Sequence, residues 1–129
     1  MIIDTHTHLY LPEFDNGGVP AVRCAVDAGV AEMIFPNVDL TTIAPMKALH
    51  EQFPSITHMA MGLHPTEIGE DWREQLAAVR EHWLDGTQHV AVGEVGIDLY
   101  WDATFAEQQM MALEQQLQWA VDSAKPVII

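Results

Sequence analysis

Cysteine and positive charge are the scarcest features of this 129-residue sequence. Cys24 is the only cysteine, so no disulfide can form within the chain. Its small apolar neighbours predict a place in the core rather than a role as a nucleophile. Five Lys and Arg stand against 19 Asp and Glu, which gives a net charge of −14 with histidine neutral. Such a charge repels polyanions and argues against sequence-independent coating of nucleic acid, unless a metal or a local patch offsets it.

Long apolar runs are missing as well. Nothing approaches the roughly 18 apolar residues that a membrane helix requires. No basic region followed by an apolar run marks a signal peptide at the N-terminus. We therefore expect no membrane partner and a cytoplasmic location. No glycine-rich loop follows the first apolar segment, which argues against a dinucleotide-binding domain.

What the sequence does contain is a regular alternation of short apolar and longer amphipathic segments. The predicted strands are MIID, AEMIFPNV, ITHMAMGLHP and HVAVGEVGID, and VII opens a fifth. In the last predicted helix, a buried face is indicated by apolar residues at three- and four-residue steps, namely Met110, Leu113, Leu117, Ala120 and Ala124. The alternation predicts an α/β fold with a parallel sheet, either an open doubly wound sheet or part of a closed barrel.

Polar residues collect at the carboxyl ends of predicted strands one, three and four, where TIM-type barrel enzymes place their active sites. A complete barrel takes about 250 residues. The sequence predicts about four and a half (β/α) units. We therefore expect a truncated barrel. We expect a single domain, residues 1–129, that forms the N-terminal portion of a (β/α)8 hydrolase barrel.

The segment IDTHTHL, residues 3–9, places two histidines one residue apart directly after the first apolar run. Alternate side chains of an extended strand share a face, so Asp4, His6 and His8 are expected to point the same way. Two imidazoles about 6.6 Å apart along a strand can turn onto one divalent ion. The alternative is a pair satisfied by backbone carbonyls. Asp4 either orients an imidazole or makes a structural hydrogen bond.

Two further segments carry candidate functional residues. Glu94, in VAVGEVGID, is an acid within an apolar run, and a buried carboxylate needs a partner. That partner is either a metal shared with the first histidines or solvent at the sheet rim. His64, in GLHP, is a candidate for contacting a substrate phosphate, moving a proton or hydrogen-bonding the backbone. Asp98, Tyr100 and Trp101 either line a substrate groove, with the two rings stacking on bases, or pack within their loop.

Four segments together resemble the TatD-like metal-dependent hydrolases: IDTHTHL, GLHP, GEVGIDLYW and KPVII, in that order and over essentially the whole chain. The resemblance implies a (β/α)8 barrel with two divalent metal ions (Mg, Mn or Zn) and, for characterised members, largely deoxyribonuclease activity. By position, it implies that His6 and His8 ligate one metal and that Glu94 bridges both metals and serves catalysis. It also implies that His64 contacts a substrate phosphate, and that two histidines and an aspartate expected from later strands are absent from this sequence.

The predicted function is therefore that of a divalent-metal-dependent hydrolase of ester bonds. We expect a deoxyribonuclease that cleaves DNA or another phosphodiester with metal-activated water. Two alternatives remain: an amidohydrolase-type enzyme acting on an amide or lactone, and a non-catalytic truncated fragment. We expect the 129-residue chain alone to be inactive and to self-associate through the unclosed edges of its sheet.

Overall fold

The computed structural model describes all 129 residues. The strands are β1 (Ile2–Asp4), β2 (Val30–Pro36), β3 (Thr57–Met61) and β4 (His89–Val92). The α-helices are α1 (Val19–Asp27), α2 (Ile43–Gln52), α3 (Trp72–Leu84) and α4 (Ala106–Ser123). Two short 3-10 segments lie at Asp15–Gly18 and Pro65–Glu67. The alternation of strand and helix predicted from the sequence is confirmed.

The four strands form one parallel sheet in the order β1-β2-β3-β4. The segment predicted as a fifth strand lies beside β4. Val127 forms a parallel bridge with Val92, and the Ile128 N–H donates to the Val92 carbonyl over 2.9 Å. The parallel β/α fold class is thus as expected.

The helix boundaries follow local chain chemistry. Pro20 lies in the first turn of α1, where the missing N–H costs no helical hydrogen bond. The helix ends just before Gly29, which has a φ of +97° and can therefore turn the chain out of the helix at little steric cost. β2 follows immediately at Val30, so the helix and the strand are joined by a tight turn.

The hydrophobic core joins the sheet to its helices. It contains 19 buried residues, among them Phe35 of β2, Leu49 of α2 and Leu76 of α3. Ile34 of β2 and Val90 of β4 lie on the opposite face of the sheet from this core. They line an open cavity of about 450 Å³. The sheet is therefore covered by buried apolar contacts on one face and open on the other.

The predicted buried face of α4 is wrong in part, although Ala120 does lie in the core. Met110 is 51% exposed and Leu117 is 39% exposed, whereas Gln109 and Gln116 are buried. The reason is that both glutamine side chains hydrogen-bond loop backbone: Gln116 pairs with the N–H and the carbonyl of Leu63 at 2.7 and 3.3 Å. Specific hydrogen bonds therefore turn a polar stripe of α4 inward.

The predicted core position of Cys24 is also wrong, because this thiol is exposed. In α1 the buried residue is Val22, two positions earlier. Residues two apart on a helix point in different directions, so Cys24 lies away from the core. None of the helices has the length and apolar character needed to span a membrane.

Candidate metal centre

His6 and His8 lie in the loop that directly follows β1. The strand itself ends at Asp4, but the Thr7 N–H donates to the Ile34 carbonyl over 3.1 Å and holds this loop beside β2. The two imidazoles meet edge to face, with their Nε2 atoms 3.2 Å apart. The extended segment expected from the sequence is shorter in the structure, yet the two rings still converge.

Glu94 lies two residues beyond β4, at the same end of the sheet. Its Oε2 is 2.8 Å from His6 Nε2 and 2.9 Å from His8 Nε2. Gly93 makes this placement sterically feasible, since a Cβ there would lie 2.7 Å from Ile128 Cβ and 2.9 Å from the Ile128 carbonyl oxygen. A glycine is therefore required where the backbone leading to Glu94 passes the neighbouring segment.

The three residues form a group whose ligand atoms all lie within 4.8 Å of one another. Four ligands at about 2.0–2.2 Å around a tetrahedral ion are about 3.3–3.6 Å apart, so the observed separations of 2.8 to 3.2 Å need an adjustment of a few tenths of an ångström. Two imidazoles and one carboxylate are also a ligand set that catalytic zinc accepts. The residues present fit one divalent metal ion.

His64 approaches the other oxygen of the same carboxylate. Its Nε2 is 3.0 Å from Glu94 Oε1. Its Nδ1 accepts a hydrogen bond from the Thr66 N–H over 3.2 Å and lies 2.7 Å from Thr66 Oγ1, a hydroxyl that can donate to the same nitrogen. In the neutral ring the proton therefore resides on Nε2. His64 therefore donates its Nε2–H to Glu94.

The charge of Glu94 is maintained by these three rings. Partial burial acts to raise the pKa of the Glu94 carboxyl, but the close contacts with the rings of His64, His8 and His6 outweigh it and lower that pKa well below its usual value. Glu94 is consequently ionised across the neutral range, as a metal-binding carboxylate must be.

Asp4 and the two exposed aromatic residues lie outside this group. The Asp4 carboxylate accepts from the backbone N–H of His6 over 3.2 Å and makes no hydrogen bond with either imidazole. Tyr100 and Trp101 are 83% and 80% exposed, and their rings meet edge to face with centroids 4.7 Å apart. The two aromatic rings therefore pack on each other rather than into the core.

Asn37 is a positioning residue that the sequence interpretation missed. It is completely buried at the end of β2. Its backbone N–H is shared between the carbonyls of Ala60 and Gly93 at 3.0 and 3.1 Å, and its carbonyl accepts from the Glu94 N–H over 3.1 Å. Its side-chain amide donates to the Gly62 carbonyl over 2.9 Å. A polar residue directly after a buried strand, in FPNV, is the sequence signal that could have identified it.

Tyr10 is a second missed residue. It is 2% exposed, and its hydroxyl contacts both His8 Nδ1, at 2.8 Å, and the Pro36 carbonyl. Burial raises the pKa of the Tyr10 hydroxyl above its usual value, and the negative charges of Glu94 and Asp39 raise it further. The hydroxyl therefore keeps its proton at neutral pH.

Parallel β/α units that gather histidines and a carboxylate at the carboxyl ends of their strands are typical of metal-dependent barrel hydrolases. A sequence model of the family described as TatD related DNase matches residues 3–129, and the chain belongs to that family. The resemblance inferred from the four sequence segments is thus confirmed.

The relatives differ in how far they have been characterised. The uncharacterized metal-dependent hydrolase YjjV of Escherichia coli is 34% identical over 98% of this chain and 49% of its own length. A 3'-5' ssDNA/RNA exonuclease TatD of Edwardsiella piscicida is 35% identical over 88% of this chain and 44% of its own length. The chain spans about half the length of the curated relatives it matches.

Two solved structures also match this chain over about half of their own length. The crystal structure of the E. coli YjjV protein matches with a TM-score of 0.78 and 33% identity, over 98% of this chain and 49% of the other. A TatD family hydrolase of Entamoeba histolytica matches with a TM-score of 0.71 over 99% of this chain and 48% of the other. At 18% identity, the second comparison supports the fold alone.

Proposed function

We propose that this chain carries one metal-binding centre of a divalent-metal-dependent phosphodiesterase that acts on DNA or RNA. The observation that carries the proposal is the convergence of His6, His8 and Glu94, whose Nε2 and Oε2 atoms lie 2.8 to 3.2 Å apart. Family membership supports the hydrolytic chemistry. The relatives named as ssDNA/RNA exonucleases support the substrate class.

A divalent ion held by these residues supplies a Lewis acid and a bound water of lowered pKa, the nucleophile that phosphodiester hydrolysis needs near neutral pH. Glu94 contributes the negative charge that attracts a cation to the two neutral imidazoles. It is the only carboxylate in the group. A bound cation also offsets locally the repulsion between a chain of net charge −14 and a polyanionic substrate.

We assign His64 to the substrate rather than to the metal. Because its Nε2 carries a proton that it donates to Glu94, this atom is a donor in the neutral ring and offers no lone pair to a cation. An N–H donor beside the metal ligands suits an oxygen of the substrate phosphate. In a complete family site, Glu94 would help hold both ions, and His64 would lie beside the same carboxylate, where it is found here.

Metal binding tests the centre directly. We expect calorimetric titration with Zn²⁺ to show one site per chain, and the double change His6→Ala, His8→Ala to abolish it. His82→Ala, which removes an exposed histidine at the end of α3, is the matched control and leaves binding unchanged. Unaltered zinc binding in the double variant would contradict the assignment.

Substrate binding tests the role of His64. With Zn²⁺ present, His64→Ala is expected to weaken binding of thymidine 5'-monophosphate and to leave the zinc stoichiometry at its original value. Loss of zinc on this substitution would show that His64 is a metal ligand instead.

We further propose that the chain alone hydrolyses nucleic acid poorly and self-associates. The group that can hold a metal provides three protein ligands, enough for one ion. Ile2 and Ile3 of the edge strand β1 are 56% and 47% exposed, and an unpaired apolar edge favours pairing with another chain. Light scattering and a nuclease assay on a single-stranded oligonucleotide with Mn²⁺ test both statements. A monomer with an ordinary enzymatic rate would refute them.

A further inference from the structure

The hydroxyl of Tyr10 has two partners but one hydrogen to give. It lies at hydrogen-bond distance from the Pro36 carbonyl oxygen and from His8 Nδ1. A carbonyl oxygen can only accept, so the hydroxyl hydrogen goes to Pro36. The hydroxyl oxygen is then left as an acceptor toward His8, and the proton between these two residues must belong to His8 Nδ1.

A proton on Nδ1 determines what the other ring nitrogen can do. In the neutral imidazole, the lone pair is then on Nε2. That atom is 2.9 Å from Glu94 Oε2, another acceptor, and 3.2 Å from His6 Nε2. Two acceptors facing each other at this distance are held together by a positive charge between them, which a proton or a metal cation supplies. His8 is therefore presented in the tautomer that ligates a metal through Nε2.

The other two histidines that contact Glu94 differ in this respect. His64 receives a hydrogen bond on Nδ1 from the Thr66 N–H, so its Nε2 is a donor. His6 makes contacts through Nε2, and its Nδ1 has no hydrogen-bond partner in the structure. His8 is thus the one imidazole whose Nδ1 proton is held by a protein acceptor.

We propose that Tyr10 is a positioning residue that holds His8 in the Nδ1–H tautomer, with Nε2 directed at the metal centre. The inference rests on the proposed metal-binding role of His8. The position of the hydroxyl is well defined, because the Tyr10 ring is 2% exposed and packs edge to face on Phe35 with centroids 6.0 Å apart. Residues that orient a ligating histidine typically contribute about 10- to 100-fold to metal affinity.

Tyr10→Phe tests the proposal because it keeps the buried ring and removes the hydroxyl. We expect its zinc affinity, measured by calorimetry at pH 7.5, to fall 10- to 100-fold with stoichiometry unchanged, as for other residues that orient a ligating histidine. Tyr100→Phe is the matched control: it removes the hydroxyl of the 83% exposed tyrosine and leaves the affinity unchanged. Equal affinity in the two variants would overturn the proposal.

Nitrogen-15 NMR of the histidine-labelled, metal-free chain gives a readout that does not depend on metal binding. The His8 ring signals, assigned by their loss in His8→Ala, are expected to show the Nδ1–H tautomer in the unmodified chain. In Tyr10→Phe we expect a mixture containing the Nε2–H form. An Nε2–H tautomer in the unmodified chain would overturn the proposal even if Tyr10→Phe failed to fold. Failure of the unmodified chain to bind zinc would refute the proposed function, while the tautomer measurement would still decide the role of Tyr10.

Discussion

His89 makes the stability of this protein sensitive to mild acid. The side chain is 4% exposed at the start of β4, and neither ring nitrogen has a hydrogen-bond partner. Burial lowers the pKa of His89 from 6.5 to about 4; the carboxylate of Asp85 opposes this change, and the charge of Lys47 adds to it. The folded protein therefore keeps this ring neutral over a range in which the unfolded chain protonates it.

The sign and size of the effect follow from proton linkage. Between pH 6.5 and about 4 the unfolded state binds more protons at His89 than the folded state does, so stability falls as the pH falls. The contribution is fully present above pH 6.5. One pKa unit corresponds to about 1.4 kcal/mol, so His89 alone removes about 3 kcal/mol by pH 4. That is a large share of the roughly 5–15 kcal/mol that stabilises a typical domain.

His89→Phe removes the titrating group and keeps an aromatic ring to stack on Trp83, where the histidine ring now lies with centroids 5.6 Å apart. We expect urea unfolding at pH 7, 6, 5 and 4 to show that the stability advantage of the variant over the unmodified chain grows by about 3 kcal/mol toward pH 4. Carboxylates such as Glu94 titrate in both proteins, so the difference isolates His89.

Val121→Phe is the control, since it introduces the same ring at a 73% exposed position of α4 and removes no titrating group. Its stability should follow the pH dependence of the unmodified chain. If His89→Phe and the unmodified chain lose stability in parallel from pH 7 to pH 4, the reasoning about the buried neutral ring is wrong.

Two further predictions concern the backbone around the metal centre. Gly93→Ala places a Cβ where there is no space, and should destabilise the fold by about 1–3 kcal/mol and weaken zinc binding in calorimetry. Gly69→Ala, whose Cβ would meet no atom closer than 3.6 Å, should do neither; equal effects of the two changes would refute the steric argument. Gln116→Leu leaves the N–H and the carbonyl of Leu63 without their side-chain partner. We expect a loss of several kcal/mol in urea unfolding, since each orphaned group costs about 1–3 kcal/mol. The control Gln118→Leu, at an exposed position, should have little effect, and a similar loss in both would contradict the proposed role of the buried amide.

The elements of this fold could be predicted from the sequence because its local signals agree with one another. Short apolar segments alternate with longer amphipathic ones, and turn residues such as Gly29 separate them. The same alternation predicted that polar residues after β1, β3 and β4 would lie at one end of the sheet. The relation between His6, His8 and Glu94 depended on strand direction alone, and strand direction follows from the β/α alternation.

What the sequence could not reveal depends on individual hydrogen bonds across the fold. The inward orientation of Gln116 on α4 follows from its pairing with Leu63, 53 residues away. Tyr10 resembles an ordinary aromatic core residue until its contact with Pro36 is known. Apolar periodicity carries no information about such pairings, because it records which side chains avoid water and not which polar atoms they meet.

The order of the strands in the sheet is their order in the chain. Each strand can therefore pair with one already made, so the sheet can grow step by step as the polypeptide emerges during synthesis. The metal centre is different, since His6 and Glu94 are 88 residues apart. Bringing these two residues together costs the entropy of closing the longest loop between residues of the centre. It also requires that β2 and β3 already lie between them. On the proposed assignment of the ligands, zinc binding reports that β4 has joined the sheet, and it can serve as a probe of that step.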